Sequence, residues 1–205
     1  MTKKQTAPTA ARTRLTPAAV VDAAMRLLDE KGLEAVTTRA VADRLGVRMN
    51  TVLWHIKSKN RLLELMADAV VGTIGYDGLP ALPRDRAREL MRRYRKALLA
   101  HRDGAALVTG TFAAEPHTLR FADTLLETLT EGESTAANAA WTLYALAYFT
   151  LGLTQEEQAA PEADLTRFRA AVATGPYPAL RAAVDALAEG SFDERFEDGV
   201  DRILS

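Results

Sequence analysis

TTRAVADRLGVRMNTVLWHIKSK, residues 37–59, reads as two short helices hinged at Gly46. Val41, Ala42 and Leu45 recur at helical spacing before the glycine, and Val52 and Ile56 recur after it, so each segment has a single apolar face. Thr37 or Thr38 caps the first segment, and Gly46 turns the chain between them. Upstream, Thr16-Pro17 supplies a capping residue followed by the one helical position where proline fits, and Val20, Val21, Ala24, Leu27 and Leu28 share a face until Gly32 stops the helix. Downstream, Ser58 opens a fourth helix with Leu62, Leu63, Met66 and Val70 as its apolar stripe. Four helices with a glycine turn in the middle pair match a helix-turn-helix unit and its scaffolding helices.

Charge separates this unit from the rest of the chain. Residues 1–61 hold 12 Lys and Arg against 5 acids, a balance of +7, whereas residues 62–205 carry a balance of -8. A basic head on an acidic body is the layout of a protein whose N-terminal part meets a polyanion. The chain has no cysteine, which excludes a disulfide framework, a thiolate zinc site and a cysteine nucleophile. Residues 1–14 are basic, lack the apolar run of a secretory signal, and read as a flexible arm. No run approaches the ~18–20 apolar residues of a membrane span, so a cytoplasmic protein without membrane contact is expected.

After GYDGLPALP, residues 75–83, the pattern is helical throughout. Helices are expected over about 84–102, 105–111, 116–131, 134–158 and 164–173, then from Ala179 and from Ser191, with breaks at Asp103-Gly104, Gly132 and Gly175-Pro176-Tyr177-Pro178. Ser191 and Glu194 form a capping-box pair ahead of Phe196, Val200, Ile203 and Leu204. The expected fold is all-α: an arm at 1–14, a helix-turn-helix domain at 15–74 and a helical domain at 75–205.

The second helix of the 37–59 unit has the chemistry for reading DNA. Major-groove recognition needs short polar and planar groups on the first turns of an exposed helix. Met49, Asn50 and Thr51 stand there; an asparagine can bond adenine bidentately, and a threonine offers a hydroxyl and a methyl group. Trp54, His55 and Lys59 can each donate to phosphate oxygen, Thr38 can add a backbone N–H at a helix start, and Arg39 beside it can reach guanine.

On these residues, residues 15–70 resemble the DNA-binding domain of the tetracycline-repressor (TetR) family: the Thr37-Thr38-Arg39 start, the Gly46-Val47 turn and the T-x-x-W-H-x-K-x-K ending at 51–59 carry the likeness. HRDGA (101–105), YFTLG (148–152) and SFDERFEDGVDRIL (191–204) are similar to the regulatory domain of the same family. Leu53 departs from the pattern, standing where an aromatic that touches the backbone is usual, and Arg48 replaces a better capping residue. The resemblance implies a homodimer, joined through residues 134–158 and 191–204, with its heads in successive major grooves of a palindromic double-stranded operator. It also implies a repressor released by a small-molecule effector, the alternative being a constitutive DNA-binding regulator. By matching position, Tyr94, Val108, Phe112, Phe121, Thr124 and Leu125 would line the effector site, with Tyr144 beside them, which suits an apolar or partly aromatic compound. Val108 matches the position of the histidine that holds magnesium-bound tetracycline in repressors of that drug, and a valine cannot coordinate a hard cation. No metal, no cofactor and no catalytic residue is expected, since His101 and His117 lack a ligand spacing and no nucleophile elbow, phosphate loop or His-Glu-x-x-His motif occurs.

Overall fold

The computed structural model describes residues 15–111, 114–132, 135–159 and 165–205, and among them it contains eleven α-helices and no strand. The head is α1 (Pro17–Lys31), a 3-10 turn (Leu33–Ala35), α2 (Thr38–Leu45), α3 (Met49–Ile56) and α4 (Lys59–Val71). The body follows as α5 (Pro83–Leu99), α6 (Gly104–Thr109), α7 (Pro116–Thr130), α8 (Ala136–Ala159), α9 (Leu165–Thr174), α10 (Pro178–Glu189) and α11 (Phe192–Ile203). The arm at 1–14, Phe112 and the Ser134 cap lie outside the described residues.

Helix starts follow local chemistry. The Thr16, Thr37 and Ser58 hydroxyls accept from Ala19, Ala40 and Arg61 N–H groups at 3.2, 3.1 and 3.1 Å, so three of the four head helices have a side-chain cap. Gly46 sits at φ 64°, ψ 31°, the left-handed region where a Cβ is costly, and this sends α3 back across α2. Helices of eight residues such as α2 and α3 are marginal alone, so their stability comes from the apolar faces they bury. Val20, Leu28, Val41, Val52, Ile56, Leu62 and Met66 are fully buried. One contiguous apolar cluster continues from them through Val70, Leu90, Met91, Leu98, Leu107 and Leu146 to Phe196 and Val200.

Two features seat the body against itself. Along α5, Arg88, Arg92 and Arg95 meet Asp201, Glu197 and Asp193 of the antiparallel α11; the Arg92–Glu197 bonds are 2.6 and 2.7 Å, and the Arg88 Nε–Asp201 bond is 2.8 Å. Arg95, almost buried, also donates to Glu157 of α8 at 2.7 Å and lies 5.1 Å from the Phe196 ring centre. Exposed pairs of this kind add little energy each, but three in sequence fix the register of α11 on α5. Where α11 meets α8, Gly199 leaves room for the Phe149 ring, which a Cβ at that position would overlap.

The head joins the body at the C-terminal end of α1 as well as along α4. The Leu33 N–H donates to the Asp103 carboxylate at 2.8 Å, and His101 Nδ1 lies 3.0 Å from Asp29. Gln158 of α8 closes this corner by accepting from the Ala105 N–H at 3.0 Å and donating to the Leu98 and His101 carbonyls at 3.1 and 2.8 Å. Replacing the fully buried Phe196 by Ala should lower the unfolding free energy by about 3–5 kcal/mol, read from urea midpoints of the full chain at constant m; a loss below about 1 kcal/mol would show that α11 is not packed as described.

Candidate nucleic-acid interface and ligand cavity

Rotation of α3 about its axis is set by Val52 and Ile56, both fully buried. The opposite face is therefore presented outward, and Arg48, Met49, Asn50 and Thr51 at its first turn are all exposed. Arg48 occupies the N-cap position in extended conformation without a side-chain cap bond, so the start of α3 carries a free polar end rather than a closed one. Trp54 is 69% exposed, an unusual state for an indole, and packs edge-on to His55 with ring centres 4.7 Å apart. Lys59, the first residue of α4, and Arg39, near the start of α2, are exposed, while Thr38 and His55 are half-buried. The structure thus groups Met49, Asn50 and Thr51 on one exposed helix end and carries Trp54 and Lys59 on the outer surface beyond it.

Lys57, a fixed position of the 51–59 motif, receives no role from the sequence. It has φ 64°, ψ -46°, a backbone state unfavourable for a residue with a Cβ. Its N–H bonds the Leu53 carbonyl at 2.8 Å, its ammonium donates to the Trp54 carbonyl at 3.0 Å, and the same ammonium lies 5.7 Å from the indole centre. The strained linker and its side chain together hold Trp54 outward. Arg44, by contrast, is taken up by a bidentate pair with Glu30, and among the described residues Arg39, Arg48 and Lys59 have no acidic partner. On the α2–α3 side of the head the outward positive charge resides on these three and Lys57.

The body contains a cavity of about 680 Å³ between α7 and α8, lined by Pro116, Leu119, Arg120, Ala122, Asp123 and Leu126 on one side and Ala140, Leu143 and Tyr144 on the other. Its walls are apolar, with Arg120 and Asp123 as the charged groups; the Arg120 guanidinium also covers the Tyr76 ring at 4.3 Å. Of the residues expected to line an effector site, Tyr144 lines this cavity. Tyr94 and Phe121 instead stack on each other, ring centres 4.8 Å apart, and are buried with Leu125 in the α5–α7 seam. Burial pushes the Tyr94 phenol well above its ordinary range, so it stays neutral. Val108 and Thr124 are half-buried and Phe112 lies outside the described residues. On α7, Leu119, Ala122 and Leu126 form a second apolar stripe beside the Phe121, Leu125 and Leu129 stripe that enters the core, and this second stripe is the sequence signal for the cavity wall without showing which of the two faces inward. Trp141, Tyr144 and Tyr148 form a run of exposed aromatics on the outer face of α8, with successive ring centres 6.2 and 5.5 Å apart.

Among the described residues, no three His, Asp or Glu side chains gather as a metal-holding group, and no helix is long and apolar enough to cross a membrane.

Comparison with known proteins assigns both halves of the chain. Residues 20–66 match the family model "Bacterial regulatory proteins, tetR family", and residues 79–205 match "Tetracyclin repressor-like, C-terminal domain". The Tetracycline repressor protein class A from transposon 1721 of Escherichia coli is 38% identical over 192 residues, covering 92% of this chain and 88% of the relative. Among solved structures, a TetR variant from Acinetobacter baumannii AYE in complex with minocycline is 28% identical with a TM-score of 0.72, covering 93% of this chain and 92% of that one. BioQ with its natural double-stranded DNA operator is 29% identical with a TM-score of 0.67, covering 86% of this chain and 100% of that one.

Proposed function

The chain belongs to the TetR family of bacterial regulatory proteins, and from that premise we propose that it is a repressor that acts as a homodimer on a palindromic operator and is released by a small apolar or partly aromatic effector. As a member of that family it is a DNA-binding transcriptional regulator, not an enzyme. The observation that carries the proposal is the free first turn of α3, where Met49, Asn50 and Thr51 are exposed above a buried Val52–Ile56 face. In this reading Arg39, Met49, Asn50 and Thr51 face base edges, and Thr38, Trp54, His55 and Lys59 hold the phosphates.

Homodimerisation is supported by α8. Phe196 and Val200 of α11 are buried within one chain and its exposed side carries Glu194, Asp198 and Arg202, so the apolar surface available to a partner is the Trp141–Tyr144–Tyr148 face of α8. The α7–α8 cavity supports an effector, being of the size and polarity of a small-molecule site. Val108, a hydrocarbon at the position of the metal-holding histidine, argues for a compound other than a magnesium–tetracycline complex. Lowering operator affinity 10- to 100-fold requires the effector to favour the non-binding state by about 1.4–2.8 kcal/mol.

In anisotropy titrations, Lys59→Ala should weaken binding to every duplex and reduce the salt slope by about one, while Asn50→Ala should relax preference at one base position by about 1–3 kcal/mol; neither change altering binding would remove α3 from the interface. Tyr148→Glu should convert dimer to monomer in sedimentation velocity, and a persistent dimer would refute the α8 face. Compounds that release the operator should lose at least about tenfold of their potency against Tyr144→Ala; undiminished potency would place the effector elsewhere.

A further inference from the structure

The chain carries five methionines and no cysteine, so thioethers are its whole sulfur chemistry. Met66 and Met91 have no exposed surface, and Met25 is half-buried against the core. Met1 lies outside the described residues. Met49 stands apart from the buried three: it is 44% exposed, it is the first residue of α3, and it is not part of the contiguous apolar cluster. Its neighbours account for the exposure. Arg48 before it makes no side-chain cap bond, Asn50 and Thr51 after it are exposed, and the helix is anchored from Val52 and Ile56 onward, which leaves Met49 at the open end.

An exposed thioether is open to electrophilic oxygen, whereas one packed in a core reacts only after the core opens. With hydrogen peroxide, a sulfur lone pair attacks one peroxide oxygen, the O–O bond breaks, and the other oxygen leaves as water after proton transfer. The sulfur is oxidised by two electrons and the peroxide is reduced by the same two. The product, methionine sulfoxide, puts a polar group where a flexible apolar end had been. A methionine sulfoxide reductase reverses the step: two thiols supply the electrons, a disulfide forms, and the oxygen departs as water.

We propose that Met49 is an oxidant-sensitive modification site at the DNA-reading end of α3, where a peroxide-class oxidant weakens operator binding and leaves the head folded. The proposal rests on the reading of α3 as the recognition helix. A thioether packs on a thymine methyl, while a sulfoxide oxygen, which only accepts, gains nothing from guanine N7 and O6 or thymine O4. The sulfoxide therefore costs affinity at the base edge. It costs little inside the protein, because the Met49 side chain fills no part of the core. Oxidation of Met66 or Met91 would act in the opposite way, through packing, and burial shields both.

The test uses the purified full chain, hydrogen peroxide and an operator duplex selected from a random library. Peptide mass spectrometry after brief exposure of the folded protein should find sulfoxide at Met49 before Met25, with Met66 and Met91 unmodified until denaturant is added. The oxidised chain should bind the selected duplex about tenfold more weakly, the worth of one base contact, at an unchanged melting temperature. Methionine sulfoxide reductase with its thiol reductant should restore the affinity. Met49→Leu, whatever its starting affinity, should bind equally before and after peroxide, whereas Met25→Leu should lose about tenfold as wild type does. Saturation with the operator beforehand should slow oxidation at Met49 and not at Met25. The proposal is overturned by a Met49 that oxidises no faster than Met25, by an unchanged affinity once Met49 is sulfoxide, or by an equal loss in Met49→Leu. A reduced wild-type chain that prefers no duplex over any other refutes the regulator reading itself, and the proposal falls with it.

Discussion

Everything in this molecule depends on how α4 is held, because it is the one helix that both halves use as an interior wall. Its Leu62, Met66 and Val70 have no exposed surface, and α1, α3, α5, α6 and α7 all pack against it. Side chains in such an interior interlock, so α4 cannot slide by small amounts without repacking its neighbours. A helix in this situation has a few discrete positions rather than a continuum, which is the property a switch requires. The serine cap closes its first turn, and the buried Asp68 carboxylate in its last turn ties it to Thr118 of α7.

Much of the fold is legible in the sequence because its causes are local. Thr16, Thr37, Ser58 and Ser191 cap helices where a capping residue precedes an apolar repeat, and the Ser191–Glu194 reciprocal bonds form between residues three apart. Gly46 is legible for the same reason, since a left-handed turn between two apolar stripes asks for glycine. The outward face of α3 follows once Val52 and Ile56 are placed inside. Pairings between distant residues are another matter. Arg61 meets Glu115, and Arg88, Arg92 and Arg95 meet α11, across separations that periodicity does not encode. The site residues in the body show the same limit: α7 carries two adjacent apolar stripes, and only packing decides that Phe121 and Leu125 enter the core while Leu119 and Leu126 line the cavity. Phe196 and Val200 likewise form an apolar edge that could serve a core or an interface, and the structure puts them in the core. The backbone state of Lys57 is hidden because lysine has no preference for it; the neighbours impose it.

Polar and apolar contacts divide the work. Burial along the continuous cluster supplies the driving force for joining head to body, and it is indifferent to register. The directional contacts, Asp68 with Thr118, Asp103 with Leu33 and Gln158 with the 98–105 corner, choose among the registers that burial permits. Most of them lie at the boundary between head and body, which is where a small rotation has the largest effect on the outer end of α3.

The arginine ladder on α5 has an electrostatic consequence beyond its own helices. Arg88, Arg92 and Arg95 cancel in pairs with the acids of α11 and α8 that face them, so the balance of -8 over residues 62–205 is carried by the remaining groups, while Arg39, Arg48 and Lys59 leave positive charge open on the head. The molecule is therefore an electric dipole. In the field of a polyanion it turns before it touches, head inward and body away, so that a larger share of diffusive encounters begins in the productive orientation.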